Sequence, residues 1–348
     1  MTDDIRRLDA RKQQILFALV REYVETAEPV GSTVLVRKHR LAMSPATVRH
    51  ELAALEDMGY LYQPHISAGR VPTDKTYRLF VDSLTEREGL TEDERGSVER
   101  YYAMLRREVD GLMRETSALL SRMTSSVAVV LAPTLDHSSL KHVDLVRMSD
   151  RRVMIVVITD TGRVVNTLVE LDREVDEQGI QKLEEHVNRH LVSLDLSGIR
   201  RERLRLYARP VAHSELLGEV VDTIVRIFAE EQQDRVFLGG TANILRQPEF
   251  GEPGRAMAVL DLVERGAELL ALIGDAMDLD RVSVMIGGEN HLPDTQDIAV
   301  IATAYGVGDE AYGSVGLLGP TRMDYARAIS AVRCIADNLS RSLRALHS

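Results

Sequence analysis

Residues 43–78 read MSPATVRHELAALEDMGYLYQPHISAGRVPTDKTYR. Ser44 offers a side-chain oxygen for a helix N-cap, and Pro45 falls at the first helical position, where its missing N–H costs nothing. Val48, Leu52 and Leu55 follow at i, i+4 and i+7 and define one apolar face. At about 100° per residue, Ala46, His50 and Ala53 lie on the opposite face, with Arg49 at its flank. Gly59 ends the helix as a C′ glycine. Leu61-Tyr62 then begins a strand, Ser67-Ala68-Gly69-Arg70 forms a turn and Val71 starts the return. This reading puts Arg70 at the tip of a hairpin whose edges are blunted by Pro64 and Pro72.

The composition of the outer helix face points to a groove. Small side chains such as Ala46 let a helix sit deep, and alanine can meet a thymine methyl group. Arg49 can fork onto guanine or a phosphate, and Ser44, Thr47 and the first amides of the helix can hold a phosphate. His50 is either a base or phosphate contact or a solvated helix histidine. Working outward, Asp9 to Glu25 reads as a first helix with Leu16, Leu19 and Tyr23 inward, ended by Thr26-Ala27-Glu28-Pro29. A second short helix opens at Gly31-Ser32 and closes in the basic tail Arg37-Lys38-His39-Arg40. Helix, turn and helix followed by a ribbon form a winged helix-turn-helix. Lys38, Arg70 and Lys75 are the expected phosphate contacts. Such a unit can also serve as a protein-binding module.

The charge distribution fits that division. The chain of 348 residues carries a net charge of -11, which by itself disfavours a nucleic-acid partner. Residues 1–84 hold 12 Lys and Arg against 11 Asp and Glu, whereas the other 264 hold 31 against 43. The acidic remainder suits a partner-binding or self-associating body. Cys334 is the one cysteine, so no internal disulfide can form. The charged N-terminus and strand-length apolar runs give no sign of a signal peptide or membrane span, and the expected location is the cytoplasm.

Residues 93–124 read as a connector helix packed on the body, with Tyr101, Met104, Leu105, Leu112 and Leu119 at helical spacing. From Ser126 the period becomes that of strands. VAVVLAP, VDLVRMSD, RRVMIVVITDTG and RVVNTLVEL suggest one antiparallel meander. Helical spacing returns at 178–194, 215–231 and 255–274. RVSVMIGGEN, DIAVIATAYGVG and YGSVGLLGP read as strands, and a last helix runs from Met323 to Leu346. Strands interrupted by helices predict an α+β domain carrying an insertion.

The stretch SPATVRHELAALEDMGYLYQPHISAGRVPTDKTYR resembles the N-terminal domain of the heat-inducible transcription repressor HrcA family. VFLGGTANIL, IGGEN and GSVGLLGPTRMDYARAI resemble that family again, so the likeness runs along essentially the whole chain. Two departures stand out: His50 replaces the family's usual asparagine, and Thr76 its usual glycine. The resemblance implies a winged helix-turn-helix at 1–84, a connector helix at 93–124, a GAF-like domain at 125–171 and 276–348, and an inserted dimerisation domain at 172–275. It further implies a homodimeric repressor of chaperone (heat-shock) operons. Its partners would be an inverted-repeat operator in double-stranded DNA and the chaperonin, which would keep it active.

Other signals carry less. Gly306-Val307-Gly308-Asp309-Glu310-Ala311 fits G-x-G-x-x-A, but a strand rather than the required helix follows. The histidines, His137 and His142 among them, are not at metal-ligand spacing, and no nucleophile–base set can be assembled. Glu289-Asn290-His291 reads as a polar turn. No enzyme activity, cofactor, metal or membrane partner is expected. The alternative function is a ligand-sensing regulator using a GAF-like pocket. An enzyme built on the Gly306 loop is the remaining reading.

Overall fold

The computed structural model describes residues 8–85, 88–105, 109–133, 139–160, 164–172, 174–207, 214–230, 236–251, 253–264, 281–290, 295–307 and 310–347. The fold is mixed α/β. The chain opens with a head of three helices, α1 (Ala10–Thr26), α2 (Ser32–Lys38) and α3 (Pro45–Asp57), and a two-stranded ribbon of β1 (Leu61–Tyr62) and β2 (Val71–Pro72). Asp9 caps α1 by accepting from the Lys12 N–H, and Ala27 ends it in the left-handed region with φ 56°. The head's own core joins Ile15, Leu16 and Leu19 of α1 to Leu35 of α2 and to Val48, Leu52 and Leu55 of α3. A fourth helix, α4 (Asp74–Ser83), leads towards the body.

The expected connector is two helices rather than one. α5 (Glu92–Met104) ends at Leu105, whose backbone is extended, and α6 (Val109–Thr124) follows. A Thr91–Glu94 capping box fixes the start of α5. Both helices bury apolar residues in the body, among them Val98, Tyr102, Leu112, Met113 and Leu120.

A five-stranded antiparallel sheet forms the body, in the order β7 (Val236–Gly239), β3 (Val127–Leu131), β10 (Glu310–Pro320), β9 (Ile298–Val307), β8 (Ser283–Ile286). Its first face packs on α5, α6 and the last helix, α11 (Tyr325–His347), through Ala128, Val130, Ile301, Tyr305, Val315, Leu317, Ile335 and Leu339. Its second face packs on the 3-10 turns at 241–250 and on α10 (Pro253–Glu264) through Val127, Val129, Val300 and Leu318. Burial on both faces explains why β3 is one unbroken apolar run. Ala311 of β10 lies opposite Gly306 of β9, so a strand and not a helix follows Ala311.

A second unit grows out between β3 and β7. β4 (Leu140–Arg147), β5 (Arg152–Thr159) and β6 (Val164–Glu170) form their own antiparallel sheet. One face of it packs on α7 (Glu177–Leu191), α8 (Leu196–Tyr207) and α9 (Ser214–Glu230) through Val143, Ile155, Val157, Val187, Val220 and Ile224. The single meander read from the sequence is therefore divided between two sheets. Residues 125–171, grouped together on sequence, contribute β3 to the body and β4–β6 to this second unit. The expected helix at 255–274 is observed over Pro253–Glu264, and its remainder lies outside the described residues. No helix among the described residues is long and apolar enough to cross a membrane.

Candidate nucleic-acid interface

α3 begins as its sequence dictates. The Ser44 Oγ accepts from the Thr47 N–H at 3.1 Å and lies 2.9 Å from the Thr47 hydroxyl, while Pro45 occupies the first turn. Val48, Leu52 and Leu55 are buried, and Ala46, Arg49, His50 and Ala53 are exposed together on the outer face. Thr47 is half-buried. Gly59, at φ 77°, turns the chain out of α3 into β1. The helix is thus held from one side, and its small and basic side remains open.

The ribbon differs from the sequence reading in one respect. Arg70 is at the foot of the loop, directly before β2, and not at its tip. Its backbone pairs with Val30 through two hydrogen bonds of 2.9 Å, so the segment before α2 acts as a third short strand. Gly69 makes this possible, since a Cβ there would lie 2.4 Å from the Val30 carbonyl carbon. The Arg70 guanidinium pairs with Glu56 of α3 at 2.8 Å and is mostly covered. The tip is formed by Pro64 to Ala68, and Ile66 there is fully exposed. The Gln63 amide donates to the Ile66 and Ala68 carbonyls at 2.9 and 2.8 Å and holds the tip in shape.

The other two cations singled out are also engaged within the head while staying exposed. Lys38 donates to the buried Glu22 at 2.6 Å, with His39 at 3.2 Å from the same carboxylate. Burial pushes the Glu22 carboxyl up, and the bonds from Lys38 and His39 more than reverse this, leaving it below the usual carboxylate range. The Lys75 ammonium sits 4.1 Å above the Tyr60 ring and donates to the Met58 carbonyl. Arg37 and Arg40 add exposed positive charge beside α2, and Arg40 adopts a left-handed φ of 50°. Thr76 is fully buried and donates its hydroxyl to the Tyr60 carbonyl, tying α4 to the ribbon. No cluster of three or more His, Cys, Asp or Glu among the described residues could hold a metal ion.

The molecule is thus a small helical head with one open, small-and-basic helix face, carried on a mixed α/β body with a second sheet unit. A family model described as the HrcA protein C-terminal domain matches residues 110–329. The heat-inducible transcription repressor HrcA of Acidothermus cellulolyticus is 40% identical over 339 residues, covering 97% of this chain and 99% of that protein. The protein of the same name from Thermobifida fusca is 38% identical over 342 residues, covering 97% of each. A crystal structure described as that of a hypothetical protein shares the fold, with a TM-score of 0.69 at 23% identity, over 97% of this chain and 99% of that one. The chain belongs to the HrcA family.

Proposed function

We propose that this chain is a homodimeric transcription repressor of heat-shock (chaperone) operons whose head is a winged helix-turn-helix. In this reading α3 enters the major groove of an inverted-repeat operator, one half-site per protomer. Ala46, Arg49 and His50 face base edges, and Ser44 and Thr47 hold a phosphate at the helix start. Lys38, Lys75 and, from the foot of the ribbon's loop, Arg70 supply flanking charge to the backbone. The observation that carries the reading is the open outer face of α3, exposed at Ala46, Arg49, His50 and Ala53 while its inner face is fully buried. The name shared by the relatives, heat-inducible transcription repressor, supports the target class.

The body's five-stranded sheet is proposed to be the GAF-like domain. The inserted dimerisation domain is proposed to run from about residue 139 to 230, wider at its start than the 172–275 read from the sequence, because β4–β6 share one core with α7–α9. The outer face of its sheet supports a dimer contact there. Val146, Met154 and Leu168 lie side by side across the three strands, and Val146, Met148, Val164 and Leu168 are exposed. The chaperonin is the proposed partner that keeps the repressor active.

A gel-shift titration tests the reading, comparing a chaperone-promoter duplex with a scrambled duplex, with and without chaperonin. Selective binding, strengthened by chaperonin, is expected. Equal binding to both duplexes under all conditions would refute it.

A further inference from the structure

Two arginines tie the head to the body at opposite ends of its docking face. Arg322, in the turn before α11, is largely buried at 11% side-chain exposure. Its Nε donates to Glu249 Oε1, and its Nη2 reaches Glu249 Oε2 and Gln247 Oε1 at 3.2 Å each. Its Nη1 donates to the carbonyl of Val24 at 2.6 Å. Val24 lies in the last turn of α1, where carbonyls lack helical partners and the helix dipole favours a cation. The body therefore caps a helix of the head.

The second tie is on α4. Arg78 donates from Nε to Glu289 Oε1 at 2.8 Å and from Nη2 to Glu289 Oε2 and the Val284 carbonyl. Glu289 also accepts the Ile286 N–H at 2.9 Å, which fixes its own position. Asp74, in the first turn of α4, accepts the Gly288 N–H at 3.1 Å. The turn is shaped for this approach: Gly287 has φ +50°, and a Cβ there would lie 2.1 Å from Asp74 Oδ2. Between the two ties, the Tyr77 and Tyr325 rings meet at 5.7 Å, and Val20, Tyr77 and Phe80 of the head lie in the body's core. The contacts use α1 and α4 and leave the outer face of α3 open.

Apolar packing alone would allow the head to rotate by small steps. The Arg78–Glu289 fork across the junction, and an Arg322 guanidinium that its own fork to Glu249 within the body holds aimed at the Val24 carbonyl, do not. A two-headed binder gains from its second head only when both sites can be engaged at once. We propose that Arg322 and Arg78 are positioning residues that set the half-site spacing of the operator, by fixing the distance and rotational phase between the two recognition helices of the dimer. Base identity is then read by α3 and spacing by the body. This rests on the dimeric repressor reading.

The test is fluorescence anisotropy on the full-length protein with three duplexes. These are the inverted repeat that the wild-type protein selects, the same repeat with about 5 bp inserted between its halves, which is half a helical turn, and a single half-site. Wild-type protein is expected to lose about 10²-fold on the shifted repeat, the scale of lost avidity. Arg322→Gln and Arg78→Gln are expected to lose less than about tenfold between the two spacings while binding the single half-site as wild type does. Arg322→Lys, which keeps the charge but not the fork, is expected to fall between them. Should Arg322→Gln not fold, as judged by its melting transition, Glu289→Gln on the more exposed tie carries the same expectation. Folded variants with wild-type spacing discrimination, or a wild type indifferent to spacing, would overturn the proposal. A wild type that selects no duplex would instead overturn the repressor reading beneath it.

Discussion

The head has two faces built on opposite rules. On its docking face, polar groups are committed to the body: Arg78 to Glu289, Asp74 to the Gly288 amide, and the α1 carbonyl of Val24 to Arg322. On its outer face, Ala46, Arg49, His50 and Ala53 stand in solvent. A buried charge must be matched in place, and this fixes orientation. A face meant to meet a second polyelectrolyte keeps its cations solvated and gains when counterions leave. Lys38 and Lys75 sit between these regimes, paired or stacked within the head yet exposed. One small unit thus carries a gripped face and an open one, with α3 held on one side and exposed on the other, and under the proposed function the open side is the one that reads.

Substitutions on the two sides of α3 should separate these roles. Leu55→Ala, on the fully buried inner face, should destabilise the protein by about 2–5 kcal/mol in denaturant unfolding, with DNA binding lost as a consequence. Ala53→Glu, on the outer face, should leave the melting transition unchanged and abolish operator binding in a gel shift, because a carboxylate would meet the groove. Loss of stability in Ala53→Glu would mean that the outer face is packed and not open. Ser44→Ala removes the cap bond to Thr47 and should cost about 1 kcal/mol in the same unfolding measurement. The smallest effect belongs to Lys75→Ala. It should weaken binding evenly across sequences and make the slope of log affinity against log salt shallower by about one unit. A change in sequence preference would show that Lys75 reads bases.

The open face was legible in the sequence because its signals are local. Ser44-Pro45, the Val48-Leu52-Leu55 spacing and Gly59 each act within a few residues and predict α3 closely. The long ties were not legible. Arg78 and Glu289 are 211 positions apart, and Arg322 and Val24 are 298 apart. The motifs IGGEN and GPTRMDY stood out only as family likeness, and the structure shows what they grip. Arg70 is held back from the tip by pairing with the Val30 backbone, 40 positions before it, which no local signal predicts. The separation of β3 from β4–β6 has a signal in the sequence. β3 is buried at every position, whereas β5 and β6 alternate, and these are the patterns of a sheet covered on both faces and of one covered on a single face. α8 is not legible because its run of arginines obscures its apolar spacing.

The decisive measurement is the affinity of wild type and Arg49→Ala for a panel of half-sites, each carrying one base-pair change. If α3 reads the groove through its open face, the variant loses about 1–3 kcal/mol of discrimination concentrated at one base pair and keeps its preference at the others. An even loss across the whole panel, or none at all, would place sequence reading elsewhere and contradict the assignment of this face.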